Sequence, residues 1–405
     1  MNSSRRRFLQ STGLGFLALG LPPAFLVRIA QAQAAKNKSL VVVFQRGAMD
    51  GLNVVIPFKD PAYYQLRPNI AVAEPGLGEE RAIDLDGFYA LHPALAPLKS
   101  IYDKGHLGFI QATGSPDNTR SHFDAQDYME IGTPGIKSTP DGWLNRCLLE
   151  NKKSESHFRG VAVTAQLPRM LAGRAPALTL SSIEEFRFRN QALGTALQKL
   201  YANTRDSELR FGAESLFGAM TELKRLDAKI PLSAERYPAG RFGTGLAQIA
   251  RLIKADVGLE LAFTEIGGWD THANEGGATG QLANRLKELG EALAAFYRDL
   301  GDRMDDVVLL TMSEFGRTAR ENGNRGTDHG HANVMFAIGG KVRGGKVYGR
   351  WPGLAPEMLN EGRDLALTTD FRTVCGEVLT RHLGQKDMSK IFPGFSASTK
   401  LGLLT

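Results

Sequence analysis

The chain has 405 residues, with 49 Lys and Arg against 43 Asp and Glu and a formal charge of +6. Four of the arginines, Arg5, Arg6, Arg7 and Arg28, fall in the first 35 residues with no acidic residue to balance them, so the remainder is close to neutral. It also lacks a dense Lys/Arg run, which argues against a nucleic-acid partner, and two cysteines are too few for a disulfide framework.

In chain order, Ser4-Arg5-Arg6-Arg7-Phe8-Leu9-Gln10 reads as a twin-arginine motif. A Gly-interrupted apolar stretch follows, and then the small-residue alternation Ala30-Gln31-Ala32-Gln33-Ala34. This is the layout of a removable export signal. Residues 1–34 are therefore expected to be a twin-arginine signal peptide, with 35–405 a periplasmic protein that has no stable membrane span. The apolar stretch is broken by Gly13, Gly15, Gly20, Pro22 and Pro23 and falls short of the ~20 residues a spanning helix needs.

Beyond the signal, short apolar runs read as buried parallel strands at Ser39–Phe44, Leu107–Ala112, Gly160–Thr164, Leu259–Thr264, Asp306–Met312 and Asn333–Ile338. Helical patterns lie between them. In Gln281–Leu300 an apolar stripe runs through Leu282, Leu286, Leu289, Leu293, Phe296 and Leu300. Such alternation predicts an α/β fold, a doubly wound and mostly parallel sheet with helices on both faces. Residues 181–237 are charged and strand-free, which predicts a helical insertion in a single domain. Gly339–Pro356 reads as a hairpin or long loop. Cys147 and Cys375 fall in helical stretches, where buried free thiols are expected.

Ligands of open α/β sheets bind outside the carboxyl ends of the strands, so the polar residues there are the candidates for chemistry. Asp328-His329-Gly330-His331 offers three nitrogen or oxygen ligands in four residues, suited to a divalent metal; the alternative is a polar turn. Asp270 and His272 form a second pair, or an Asx turn. Asp50 and Glu314 are further candidate ligands, each also readable as a helix-start acid. Arg46 and Arg317 could hold an oxyanion. Ser121 and Thr119 are the candidate nucleophiles, because a hydroxyl needs a metal or base beside it to attack at neutral pH. Ser121 could equally cap the helix His122–Ile131.

These segments also carry a resemblance. Val41-Val42-Val43-Phe44-Gln45-Arg46-Gly47-Ala48-Met49-Asp50-Gly51-Leu52-Asn53, Tyr63-Tyr64-Gln65-Leu66-Arg67-Pro68, Leu91-His92-Pro93-Ala94-Leu95, Ser121-His122-Phe123-Asp124, Gly268-Trp269-Asp270-Thr271-His272 and Ser313-Glu314-Phe315-Gly316-Arg317-Thr318 resemble the exported bacterial family called domain of unknown function 1501. That family looks like a branch of the alkaline phosphatase and sulfatase superfamily. The resemblance implies an Asp ligand after the first strand, a Ser, Thr or Cys nucleophile opening a helix after the second, and Asp/His ligands after later strands.

The function so implied is a periplasmic, metal-dependent hydrolase of phosphate or sulfate esters. Asp50, Asp270, His272, Glu314, Asp328, His329 and His331 would hold Zn, Mn, Mg or Ca, with Ser121, Arg46 and Arg317 doing the chemistry. Its partners would be a small-molecule or glycan ester and, during export, the twin-arginine translocase. The alternative is a catalytically degenerate member of the fold that acts in binding or assembly. Glu314-Phe315, standing where the wider superfamily has Asp-His, favours that alternative.

An Arg5→Lys, Arg6→Lys double variant should accumulate as cytoplasmic precursor when producing cells are fractionated. Export at the normal rate would contradict the signal assignment.

Overall fold

In the computed structural model, residues 37–151, 156–184, 191–226, 233, 235–396 and 400–405 are described. The signal segment, 1–34, lies outside them. Lys38–Thr405 forms one compact unit.

Its sheet has nine strands: β1 (Ser39–Arg46), β2 (Leu107–Gly114), β3 (Gly160–Ala162), β4 (Leu178–Thr179), β5 (Leu261–Gly267), β6 (Val307–Met312), β7 (Asn333–Ile338), β8 (Lys346–Tyr348) and β9 (Thr369–Asp370). The order across the sheet is β8-β2-β7-β6-β1-β5-β3-β4, with β9 also on β2. Every pairing is parallel except those of β7, which runs antiparallel to both β2 and β6. A second, three-stranded sheet joins Val55–Ile56, Ile83–Asp84 and Ala90–Leu91.

Strand periodicity explains the layers. Along β1, Leu40, Val42 and Phe44 enter one apolar cluster, which includes residues of the helices Trp143–Glu150 and Phe371–Arg381. Val41 and Val43 enter the other, with residues of the helices Arg241–Lys254 and Gln281–Leu300. The stripe expected on Gln281–Leu300 is buried throughout. Each such side chain contributes roughly 1.5–3 kcal/mol when fully buried, and two faces so covered give the doubly wound architecture. Cys147 and Cys375 are both free and buried, and burial pushes the Cys147 thiol up to about 12.

Two expectations need correction. Asn333–Ile338 is a buried strand as expected, but it is antiparallel. The segment 339–356 is not a plain loop, because it lays β8 along the sheet edge against β2. Short β4 precedes the helices Gln191–Ala202 and Ser207–Leu226, which pack against each other and send Ala219 and Leu223 into the core. No helix among the described residues is long and apolar enough to cross a membrane.

The reversal of β7 positions the site. Because that strand runs backwards, the residues before it lie at the rim where the parallel strands end. Residues 316–318 leave β6 and pair with 328–331 across that rim: Gly316 N–H donates to His331 O at 2.8 Å, Gly330 N–H to Gly316 O at 2.8 Å, and Thr318 N–H to Asp328 O at 2.9 Å. Both glycines are required by close approach. A Cβ on Gly316 would stand 2.0 Å from Ala332 O, and one on Gly330 would stand 2.3 Å from the Arg317 carbonyl carbon.

Candidate metal centre

Four strand ends supply the candidate site. After β2, the helix His122–Ile131 begins with Ser121 as its N-cap, so His122 occupies the first helical position. Asp270 and His272 follow β5, Glu314 and Arg317 follow β6, and Asp328 and His329 precede β7.

His122, Asp270 and His329 bring one ligand atom each into a compact triangle. Its edges are 3.0 Å between the two imidazole Nε2 atoms, 3.3 Å from His329 to Asp270 Oδ1, and 3.5 Å from His122 to the same oxygen. His272 Nε2 faces the shared edge, 3.0 Å from His329 Nε2 and 3.0 Å from Asp270 Oδ1. Ligands ~2.0–2.1 Å from a tetrahedral ion lie about 3.3–3.4 Å apart. The triangle matches that spacing.

The outer nitrogens decide what the inner ones can do. His122 Nδ1 lies 2.8 Å from Glu314 Oε1, His329 Nδ1 2.8 Å from the Arg120 carbonyl, and His272 Nδ1 3.0 Å from Asp328 Oδ1. Each acceptor calls for a hydrogen on Nδ1, which turns the Nε2 lone pair toward the other ligand atoms. This is how imidazole ligands are commonly oriented from behind. Phe315 completes the support, with its ring 4.9 Å from His122 and 5.2 Å from His329.

Electrostatics follow from the same contacts. The hydrogen bond to Glu314 holds His122 above the ordinary imidazole range against its partial burial. Burial, aided by the nearby His122, pushes His329 down. For Asp270 and Glu314, burial alone would raise the carboxyls. Hydrogen bonds from Arg317 to Asp270, and from His122 and Gln126 to Glu314, outweigh it and keep both low.

Of the expected ligands, Asp270, His272 and His329 come together. Glu314 and Asp328 do not reach the triangle, because their carboxylates lie behind His122 and His272 as acceptors. His331 is buried apart from it, in the electrostatic surroundings of Asp364 and Arg120. Asp50 is also removed from it. Its two oxygens are taken by the fully buried Arg67, which also donates to Asn53 Oδ1 and to the carbonyls of Thr318 and Ala319. Beside that pair, burial and the Asp50 charge push the Glu275 carboxyl well above its ordinary value.

Neither arginine is free to clamp an oxyanion. Arg46 spends its guanidinium on Glu265, Gln126 and Glu130. Arg317 is buried, donating to the carbonyls of Gly47, Ala48, Trp269 and Thr327 and to Asp270 Oδ1 at 2.6 Å. Ser121 Oγ accepts from Asp124 N–H at 3.5 Å, longer than the usual 2.7–3.2 Å. Thr119 Oγ1 accepts from Ser121 N–H at 3.3 Å.

A family profile described as "Protein of unknown function (DUF1501)" matches residues 71–391. The chain belongs to that family. In this DUF1501 protein the matched span contains His122, Asp270, His272 and His329, with Glu314, Arg317 and Asp328 behind them. No curated protein matches the chain significantly. Among solved structures it is similar to the C-terminal periplasmic domain of EcEptC from Escherichia coli in complex with Zn, at 7% identity and TM-score 0.36 over 76% of this chain and 74% of that one. It is also similar to the PsFucS1 sulfatase from Pseudoalteromonas sp., at 12% identity and TM-score 0.41 over 94% and 74%. For the lipoteichoic acid synthase LtaP from Listeria monocytogenes the values are 8%, 0.33, 76% and 66%.

Sequence reasoning missed His122 as a cluster member, and Arg67, Arg120 and Glu275 as supports. His122 had a signal, an imidazole in the polar stretch after a buried strand, but the neighbouring hydroxyl took precedence.

Replacing Arg67 with Met should cost roughly 3–5 kcal/mol, because it leaves the Asp50 carboxylate buried without its partner. Chemical denaturation measures this. A loss within the ~0–1 kcal/mol of an exposed ion pair would contradict the buried-pair assignment.

Proposed function

We propose that this protein is a metal-dependent hydrolase of phosphate or sulfate esters, working in the periplasm after twin-arginine export. One observation carries the reading: imidazole lone pairs converge on a single carboxylate oxygen, and each imidazole is locked from behind by an acceptor on its other nitrogen. Without a cation, nitrogens 3.0 Å apart confront lone pair with lone pair unless one takes up a proton. With a divalent ion such as Zn the donor set is complementary, mixing imidazole and carboxylate.

His122, Asp270 and His329 would hold the ion, with His272 against the Asp270–His329 edge. When bound, it would supply Lewis-acid stabilisation of the charge on the attacking and leaving oxygens of an in-line displacement. The remaining work belongs to the chain. Arg317 fixes Asp270, Glu314 and Phe315 fix His122, and Asp328 fixes His272. Asp270, His272 and Asp328 are about half exposed, so an ester can approach from that side. Ser121 is the proposed nucleophile. It directly precedes His122, and its long capping bond commits the hydroxyl only weakly to the helix.

The purified protein should take up zinc in metal analysis, and His329→Ala should lose both metal and turnover of aryl phosphate or sulfate esters. Ser121→Ala should abolish turnover while leaving metal content and thermal stability nearly unchanged. If Ser121 is only a cap, the same change costs roughly 0.5–2 kcal/mol of stability and leaves activity intact. That result would move the nucleophile elsewhere, and failure to bind metal would remove the hydrolase reading.

A further inference from the structure

Asp328 has two sides. Its Oδ1 accepts from His272 Nδ1 and from Asn322 Nδ2, and the residue also lines a cavity of about 510 Å³. A single side chain therefore separates His272 from a space within the ~300–1,000 Å³ range of ligand pockets. Leu66, Leu354, Pro356 and Leu359 line part of it, and Arg320 and Arg363 add cationic groups.

The charges lining this space are not equally committed. The Glu321 carboxylate is consumed by Asn69, whose backbone and side-chain N–H groups both donate to it, and by Ile70 N–H at 3.1 Å. Asp328 is held by His272 and Asn322. Arg363 gives Nη2 to the His329 carbonyl at 2.6 Å and stands 3.5 Å from Asp364, and its side chain remains 42% exposed. Arg320 is exposed, and its guanidinium has no hydrogen-bond or ion-pair partner among the described residues. The acids are therefore compensated, and the arginines retain donor capacity beside an apolar wall. A guanidinium in this situation suits a planar or tetrahedral oxyanion.

We infer that this cavity is a recognition subsite for an amphiphilic anion, with Arg320 and Arg363 pairing the anionic group and the half-buried Leu66 and Leu359 packing its apolar body. The inference rests on the hydrolase reading in one respect only: there, the occupant is the non-reacting part of the substrate. The substrate class is then an ester that carries a second anionic group on an apolar body, not a bare monoester. Arg320 and Arg363 set specificity, and neither touches the reacting atoms. Arg363 also ties the occupant to the site, because it bonds the backbone of His329.

The test uses the full mature protein, treated with a chelator, and naphthalene-2-sulfonate as a probe that no ester hydrolase can cleave. Titration calorimetry should show binding, weakened about tenfold or more in Arg320→Ala, the loss expected of one charge-assisted contact. Leu359→Asp should weaken it similarly, and neutral 2-naphthol should bind far less well than the sulfonate. Arg81→Ala, an exposed arginine elsewhere, should change nothing. Arg320 is exposed, so its loss does not threaten folding. Equal binding by wild type and Arg320→Ala, equal binding of sulfonate and naphthol, or no binding to folded wild type would each overturn the subsite. Chelator treatment keeps this result separate from zinc uptake. A protein that binds the sulfonate through Arg320 but takes up no metal keeps the subsite and loses the hydrolase, and the converse result does the opposite.

Discussion

The site depends on one buried guanidinium. Arg317 lies beneath the rim, and its nitrogens reach carbonyls from three other segments: Gly47 and Ala48 after β1, Trp269 after β5, and Thr327 before β7. Its remaining contact is the Asp270 carboxylate. Strand ends are where backbone carbonyls leave the sheet ladder and need new donors. A single side chain with five N–H groups satisfies several of them together, so the requirement to pair buried carbonyls also fixes the spacing of the strand ends. The position of Asp270 follows from that spacing.

Around this staple the structure holds a cluster that would be unfavourable by itself. Imidazole nitrogens and a carboxylate oxygen face one another at 3.0–3.5 Å. The cost of that arrangement is offset behind it, where Glu314 accepts from Gly47 N–H, Gln126 and His122, and Gln126 in turn meets Arg46. Arg46 and Arg317 therefore brace the site at one remove. Their charge is spent inside the protein, and cationic donor capacity lies farther out, at Arg320 and the partly engaged Arg363. Concentrating local conflict at a site and compensating it in the surroundings is the usual pattern of functional regions.

Much of the fold was legible because buried strands and amphipathic helices leave period-specific patterns. The runs beginning at Ser39, Leu107, Gly160 and Asn333 begin strands at those same residues, and the Gln281–Leu300 stripe is buried as read. Strand direction was not legible, since a fully buried run looks the same either way, and β7 is the strand where it mattered. Strands of two or three residues such as β4, β8 and β9 are too short to show any period. At the site, the convergence of the Asp270–His272 and Asp328–His329 segments could be inferred from their places at strand ends. The division of labour among the acids could not. Whether Asp50 faces an open rim or a buried arginine depends on Arg67, seventeen positions away in sequence, and nothing local announces that pairing. Glu314 likewise shows its role only once His122 is seen in front of it.

The central claim is that His122, Asp270 and His329 share one metal ion. Zinc K-edge X-ray absorption on protein loaded with one equivalent tests it most directly. The account predicts a first shell of imidazole nitrogen and carboxylate oxygen at ~2.0–2.2 Å, with the imidazole contribution reduced in His122→Ala. A shell of water oxygens only, or an imidazole signal unchanged by that substitution, would contradict it.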